Sequence, residues 1–337
     1  MRATLLARTR ELLARAGYFL SSDTGVRPLS FDLAARRDDE LLLVKVLTNV
    51  DGLTDVVANE LRVIAEFLNA APLVVGERSS SRELEHGAVY LRYGVRIVTP
   101  DTLREYLEDG VEPLVFAAPG GFYVNLDGPR LRAIREERGL SLGDLAQAAG
   151  VSRRAIGMYE DGMGAMVEVA MRLEEFLDES LTRPTNPFKP GAPAPAPEPP
   201  AENDIATSGA TGAISSPSAS PDFGPGLEGA VLRRMSELGF RVAATQKSPF
   251  RAIGKDSGAQ PNVILTGVVT QDADLAKRAA ATADLCEVTE TFGVFFVERT
   301  TTRLTLEGTP VVSREELRRV DDPEELLKLL TERRKKA

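Results

Sequence analysis

Tryptophan is absent from this chain, and cysteine and histidine occur once each, as Cys286 and His86. A single cysteine forms no disulfide within the chain. A lone histidine without cysteine partners leaves neither a zinc site nor a histidine-based triad to build. Long apolar runs are missing too, and nothing at the start reads as a secretion signal, so the expectation is a cytoplasmic protein that does not enter a membrane. There is no glycine-rich phosphate loop and no cofactor motif, and neither metal nor cofactor is expected. Lysine is scarce, eight of 41 basic residues, the rest being arginine. The basic residues are outnumbered by 50 acidic ones, for a net charge of −9. The surface at large therefore repels a polyanion, and any contact with nucleic acid must be local. At 337 residues and 43% apolar content the chain can bury two or three cores.

What is present is clearest in GPRLRAIREERGLSLGDLAQAAGVSRRAIGMYE, residues 128–160. Ser141 is a helix N-cap, followed by Leu142, Leu145, Ala146 and Ala149 at helical spacing, and Gly150 ends that helix. Val151 plugs the angle, Ser152 caps the next helix, and Arg153 begins it. Ala155, Ile156 and Tyr159 form its buried face, which leaves Arg153, Arg154, Gly157 and Met158 outward near the N-terminus. A preceding helix, Leu131 to Arg138, carries Leu131 and Ile134 inward and Arg130, Arg132 and Arg135 outward, where arginines can hold phosphates. Beyond Glu160, MVEVAMRLEEFLDESL makes one more amphipathic helix, with Val167, Ala170, Met171, Leu173 and Leu177 as its apolar stripe.

LSLGDLAQAAGVSRRAIGMYEDG resembles the Cro/phage-repressor type of helix-turn-helix, with the Ala-x-x-x-Gly-Val-Ser turn as its signature. The resemblance covers roughly residues 128–181. It implies base contacts from Ser152, Arg153, Arg154 and Met158, and backbone contacts from Ser141, Leu142 and Gln147. Leucine at 142 stands where the family often has a phosphate-bonding glutamine, which weakens the grip implied there.

Composition divides the rest. Residues 183–226, rich in Pro, Ala, Ser and Gly, bury too little to fold and read as a disordered linker. On either side, blocks recur in the same order: LLARAGYFLSS with RMSELGFRVAA, LLLVKVLT with VILTGVVT, APLVVGERSSSR with FGVFFVERTTTR, and GVRIVTPDTLREY with GTPVVSREELRRV. Expected in the first copy are a helix over about 2–16, strands near 18–22, 30–35 and 40–47, a helix over about 53–69, and strands at 73–77 and 96–98. A long helix with a strand at each end predicts a parallel crossover within a mixed sheet. The expected organisation is an α/β copy over 1–110, a hairpin connector over 111–127 turning at Pro119-Gly120-Gly121, and the helix-turn-helix domain over 128–182. After the linker come a second α/β copy over 227–328 and a basic tail over 329–337.

The order of elements in the copies resembles the restriction-endonuclease-like nucleases, notably the Mrr and archaeal junction-resolvase branch. Those enzymes need an aspartate on one strand and Glu/Asp-x-Lys on the next, because two carboxylates hold magnesium while the lysine steadies water. Asp32 and Lys45 fit two of the places, but Leu43 replaces the second carboxylate, and the second copy has Arg251 and Gly267 opposite Asp32 and Lys45. The copies therefore read as degenerate, with Asp32 and Lys45 a structural ion pair. The Glu-Arg-[Ser/Thr]3-Arg segments at 77–82 and 298–303 read as charged turns, with an anion pocket as the other reading. The fold class expected is α/β plus all-α: two degenerate nuclease-like domains around a λ-repressor-like helical domain. As a whole the chain resembles archaeal regulators that carry such a motif centrally. The expectation is a sequence-specific, DNA-binding transcriptional regulator and not an enzyme, partnered by double-stranded DNA and by a second copy on a near-palindromic site. Whether an effector exists is left open, and a magnesium-dependent nuclease using Asp32 and Lys45 is the alternative.

Overall fold

A computed structural model describes residues 1–22, 29–189, 226–269 and 274–335. The N-terminal part runs α1 (Arg2–Arg15), β1 (Phe19–Leu20), β2 (Leu33–Arg37), β3 (Glu40–Asn49), α2 (Asp55–Leu68), β4 (Ala71–Arg78), β5 (Ala88–Arg92), β6 (Val95–Val98) and α3 (Pro100–Arg104). A hairpin, β7 (Val115–Ala118) and β8 (Gly121–Leu126), leads into α4 (Gly128–Glu137), α5 (Leu142–Ala149) and α6 (Arg153–Glu160). Then come β9 (Ala165–Met166), α7 (Val167–Leu177) and β10 (Thr182–Arg183). The C-terminal part runs α8 (Gly226–Glu237), β11 (Arg241–Ala244), β12 (Ala252–Lys255), β13 (Val263–Val268), α9 (Leu275–Thr289), β14 (Phe292–Val297), β15 (Thr305–Leu306), β16 (Thr309–Ser313), α10 (Arg314–Arg318) and α11 (Pro323–Lys335).

These elements cluster into two compact units, whose boundary passes along the chain through α1, β3 and β4. The first unit takes residues 1–12, 46–53 and 73 onward through the helical domain. Its strands lie in the order β4-β6-β5-β7-β8-β10, with β9 also on β8. Strands β5 and β6 close on Tyr93-Gly94, both at positive φ (49° and 75°), a turn that the hydrophobic pattern alone does not announce. The hairpin β7–β8 is more than a connector. Val124 and Leu126 of β8 share one core with Leu131, Ile134, Leu145, Ile156, Leu173 and Leu177 of the helices, so the helical domain is built onto a sheet edge. Residues 184–189, expected to open the linker, are packed: Phe188 is buried and meets Tyr106 edge-on at 4.9 Å. The rest of that linker, 190–225, lies outside the described residues.

The second unit takes residues 13–45 and 54–72 with the C-terminal part. Its six-stranded sheet has the order β11-β12-β13-β14-β16-β15. Every residue of β13 is buried, as a central strand covered on both faces requires, and β13 pairs parallel with β14 across the α9 crossover. Ile264, Phe296 and Val312 from the sheet pack with Met235 of α8 and Leu330 of α11. In the same unit β2 pairs antiparallel with β3 in the register Ala34↔Leu43. The strand expected at 30–35 begins three residues later because the Ser30 N–H goes to Lys247 O (2.6 Å) instead of to β3. Helix α2 is capped by the Thr54 hydroxyl and ends on Asn69 at φ 52°.

Within this unit the N-terminal segments hold the C-terminal part through polar contacts, from buried to exposed. The Glu60 carboxylate accepts from the backbone N–H groups of Gln246 and Lys247 and from the Ser248 hydroxyl (2.8–2.9 Å). Lys255 Nζ donates to Phe67 O at the end of α2 (3.0 Å), and Arg36 donates to Thr289 O at the end of α9 (3.3 Å). Arg36 also pairs with Glu290 (2.6 Å), and Arg241 with Glu66 (2.7 Å).

Candidate nucleic-acid interface

Helices α5 and α6 and their turn follow from caps at each end. The Ser141 hydroxyl accepts from Asp144 N, and the Asp144 carboxylate accepts from Ser141 N (2.7 Å), a complete capping box. Those bonds from Ser141 hold the Asp144 carboxyl below the usual carboxylate range. Gly150 stops α5 at φ 71°, a conformation that costs glycine nothing. The Ser152 hydroxyl then takes Ala155 N and starts α6. Ile156 and Tyr159 are buried, Ala155 is half-buried, and Arg153 and Arg154 are exposed on the opposite side with Gly157 and Met158 half-exposed beside them.

Among the described residues neither Arg153 nor Arg154 has an ion pair or a side-chain hydrogen bond. The Arg153 guanidinium lies across α5, where a Cβ on Gly143 would stand 3.0 Å from Nε, and its charge reaches Asp144. Gln147 is exposed and Leu142 half-buried on the same two-helix unit. One cation here was not singled out from sequence: Arg172 of α7 reaches back over the turn, its guanidinium 2.9 Å from where a Gly150 Cβ would be. Only the packing of α7 across α5 reveals it, since eighteen residues and a helix boundary separate it from the arginine pair.

The arginines of α4 have other commitments. Arg132 bonds Glu160 (3.0 Å) and Asp161 (2.8 Å), and Arg130 bonds Glu179 (2.6 Å). Arg135, expected outward, is only 15% exposed and bonds Glu160 at 2.5 Å. Glu160 is itself buried. Desolvation pushes its carboxyl up, and hydrogen bonds from Arg135 and Arg132 outweigh that and hold it below the usual range. The cluster therefore locks α4 to the end of α6. Met171, expected in the apolar stripe of α7, is 62% exposed, and Val169 takes its place beside Ala170, Leu173 and Leu177.

In the second unit, Lys45 Nζ donates to Leu29 O (2.6 Å) and stands 3.6 Å from Asp32, whose side chain is 1% exposed. Leu43 is fully buried, so no carboxylate completes a magnesium cradle at that position. The Ser79–Arg82 turn of the first unit is closed from within. Asp51 accepts from Ser80 N (2.7 Å) and pairs with Arg92 (2.8 Å), and the Ser80 bonds hold its carboxyl low, so an acid occupies the place of an anion. His86 pairs with Glu105 at 2.7 Å. No cluster of three or more metal-ligating side chains occurs among the described residues, and none of their helices is long and apolar enough to cross a membrane.

A capped helix pair with this turn, on a core shared with an α/β sheet, defines a Cro/C1-type helix-turn-helix protein with an attached nuclease-like domain. The comparisons agree on both parts: a helix-turn-helix family model matches residues 131–183, and a PD-(D/E)XK superfamily domain model matches residues 2–113. Similar proteins extend over nearly the whole chain. A protein of Halorubrum lacusprofundi is 40% identical over 99% of this chain and 98% of its own length, and one of Halobacterium salinarum is 41% identical over 98% of each. One of Methanocella arvoryzae is 39% identical over 98% of this chain and 97% of its own. Each bears the name "Putative HTH-type transcriptional regulatory protein". The chain belongs to this family of archaeal helix-turn-helix proteins. No solved structure matches it.

Proposed function

We propose that the protein is a sequence-specific transcriptional regulator that lays α6 in the major groove of duplex DNA. The observation that carries this reading is the pair Arg153 and Arg154: exposed, free of ion pairs among the described residues, at the capped start of α6, in a chain of net charge −9. An acidic protein keeps two guanidiniums without ion pairs side by side at a helix start where a polyanion approaches. Arg153, Arg154, Ser152 and Met158 meet base edges, and Ser141, Leu142 and Gln147 meet the backbone. Arg130 and Arg132 are backbone contacts only if DNA draws them from Glu179 and Glu160. One such helix reads a few base pairs, so two chains bind a near-palindrome as a homodimer.

The flanking α/β parts are, in this reading, degenerate copies of one domain that serve as scaffold. Matching details support the repeat. Asp32 N donates to Val44 O as Arg251 N donates to Thr266 O, which puts Arg251 opposite Asp32 and Gly267 opposite Lys45. Tyr93-Gly94 and Glu307-Gly308 make the same positive-φ turn, and Asn69 and Glu290 end the two crossover helices in the same left-handed conformation. The domain binds no magnesium and cuts no DNA, because Leu43 replaces a carboxylate and Lys45 is already held by Leu29 O and Asp32.

The test is selection of bound duplexes from a random pool by the whole protein in the presence of magnesium. An enriched inverted repeat with intact ends is expected. Cut ends that disappear in Lys45→Ala, without enrichment, would establish the nuclease in its place.

A further inference from the structure

A cavity of about 130 Å³ opens in the second unit at the starting ends of the parallel strands β14 and β16, between α9 and α11. Cys286, Phe292, Pro310 and Leu330 wall it, all but Phe292 fully buried, and the exposed residues Thr331 and Arg334 stand at its mouth. Protein interiors are packed to the density of organic crystals and leave few voids larger than a water molecule. An apolar-walled space of this size exceeds what packing leaves behind.

The polar groups around it leave one cation for an occupant. The hydroxyls of Thr309 and Thr331 donate to Ala279 O (2.9 Å) and Leu327 O (2.8 Å), so their protons are spent. Arg334 makes no ion pair or side-chain hydrogen bond among the described residues. Its neighbour Arg333, in contrast, is buried and pairs with Glu316 of α10. That pair fixes the last turn of α11, on which Leu330, Thr331 and Arg334 share the face that lines the cavity. Burial pushes the Cys286 thiol up to about 12, although the Arg334 charge works against it, so the sulfur stays protonated and behaves as a small hydrophobe. The floor is apolar and uncharged, with a single guanidinium above it.

We infer that this cavity binds a small monocarboxylate with a compact apolar body, its carboxylate on Arg334 and its body against Cys286, Phe292 and Leu330. A guanidinium fork matches a carboxylate in two parallel hydrogen bonds, and one cation calls for one negative charge. An apolar cavity of about 150 Å³ holds benzene, so one of about 130 Å³ admits a body of up to about six carbons. On the function proposed above the ligand is an effector, but its binding does not depend on that reading.

Titration calorimetry of the full chain with benzoate, and in parallel with isovalerate, tests this without DNA. Saturable binding of at least one of them at one site per chain is expected, and the tighter of the two names the body as a ring or a branched chain. The matching amides, which keep the body and lose the charge, should bind about tenfold or more weakly, and Arg334→Gln should lose the same factor. Ala283→Leu, which fills the cavity from α9, should abolish binding, and Arg153→Ala/Arg154→Ala should leave it unchanged. An unaltered circular dichroism spectrum shows that each variant keeps its fold; if Ala283→Leu does not, the exposed Arg334 and the amides decide. Absence of saturable binding at millimolar carboxylate overturns the inference, as does equal binding by Arg334→Gln or by the amides. Binding lost in the Arg153/Arg154 variant and kept in Arg334→Gln would assign the anion to α6 and equally overturn it.

Discussion

Glu160 ties α4 to the end of α6. Its side chain is 3% exposed and accepts from Arg132 and Arg135, and Arg135 is itself 15% exposed. Removing one partner of such a pair strands the other charge in a desolvated place, at a cost of about 3 kcal/mol. Glu160→Gln should therefore lower the local opening free energy of α4 and α6 at pH 7 by about that amount, read by hydrogen exchange in the whole chain. The sign with pH follows from the depressed folded value. The contribution is complete above the ordinary carboxylate range of about pH 4–5 and disappears as pH falls through the lowered folded pKa. The difference between wild type and variant should shrink in acid, and a constant difference from pH 7 to 3 would show that Glu160 acts by packing alone. None of this was legible in the sequence. Arg130, Arg132 and Arg135 have the outward spacing of phosphate ligands, and helical spacing does not reveal that Glu160, Asp161 and Glu179 come round to meet them. Caps are another matter: Ser141, Gly150 and Ser152 act on neighbours within a few residues, and each stands where local chemistry puts it.

At the scale of elements, two glycines separate what the fold needs from what a partner needs. A Cβ on Gly128 would lie 2.5–2.6 Å from the carbonyl oxygens of Glu160 and Tyr159, so only glycine lets α4 begin against the end of α6. Gly128→Ala should destabilise the domain by about 1–3 kcal/mol. Gly157, in contrast, has open space where its Cβ would be, yet glycine inside a helix costs about 1 kcal/mol relative to alanine. Gly157 shares the outward face of α6 with Arg153, Arg154 and Met158, and on the function proposed above, close approach of DNA accounts for the missing side chain. Gly157→Ala should raise the melting temperature and weaken operator binding, measured by fluorescence anisotropy. Unchanged affinity would mean that this face of α6 does not enter the groove. The helices were readable from periodicity because their caps and stripes are local. Strand β5 was missed because its hairpin turns on Tyr93, an unusual residue at positive φ, and β2 was misplaced because Ser30 bonds Lys247, more than two hundred residues away.

For the whole molecule, the question is how an acidic chain holds DNA. The four blocks that recur in the sequence led to the reading of two copies, but they do not reveal that Glu60, Arg36 and Lys255 tie N-terminal segments to the C-terminal part within one unit. The proposed pairing of two chains on DNA would use surfaces outside those contacts. With the charge of −9 opposing approach, binding rests on a few local cations, so affinity should fall as salt rises with a slope set by how many phosphates those cations neutralise. The slope separates the roles of Arg153 and Arg154. If both hold phosphates, the double alanine variant loses about 0.9 per arginine from the slope of log K against log salt. If both read bases, as proposed, the slope changes little, while discrimination between operator and random duplex falls by about 1–3 kcal/mol for each. Sedimentation of the same complexes should give two chains per operator, on half-sites about 34 Å apart. One chain on a single half-site would remove the homodimer while leaving α6 as the reader.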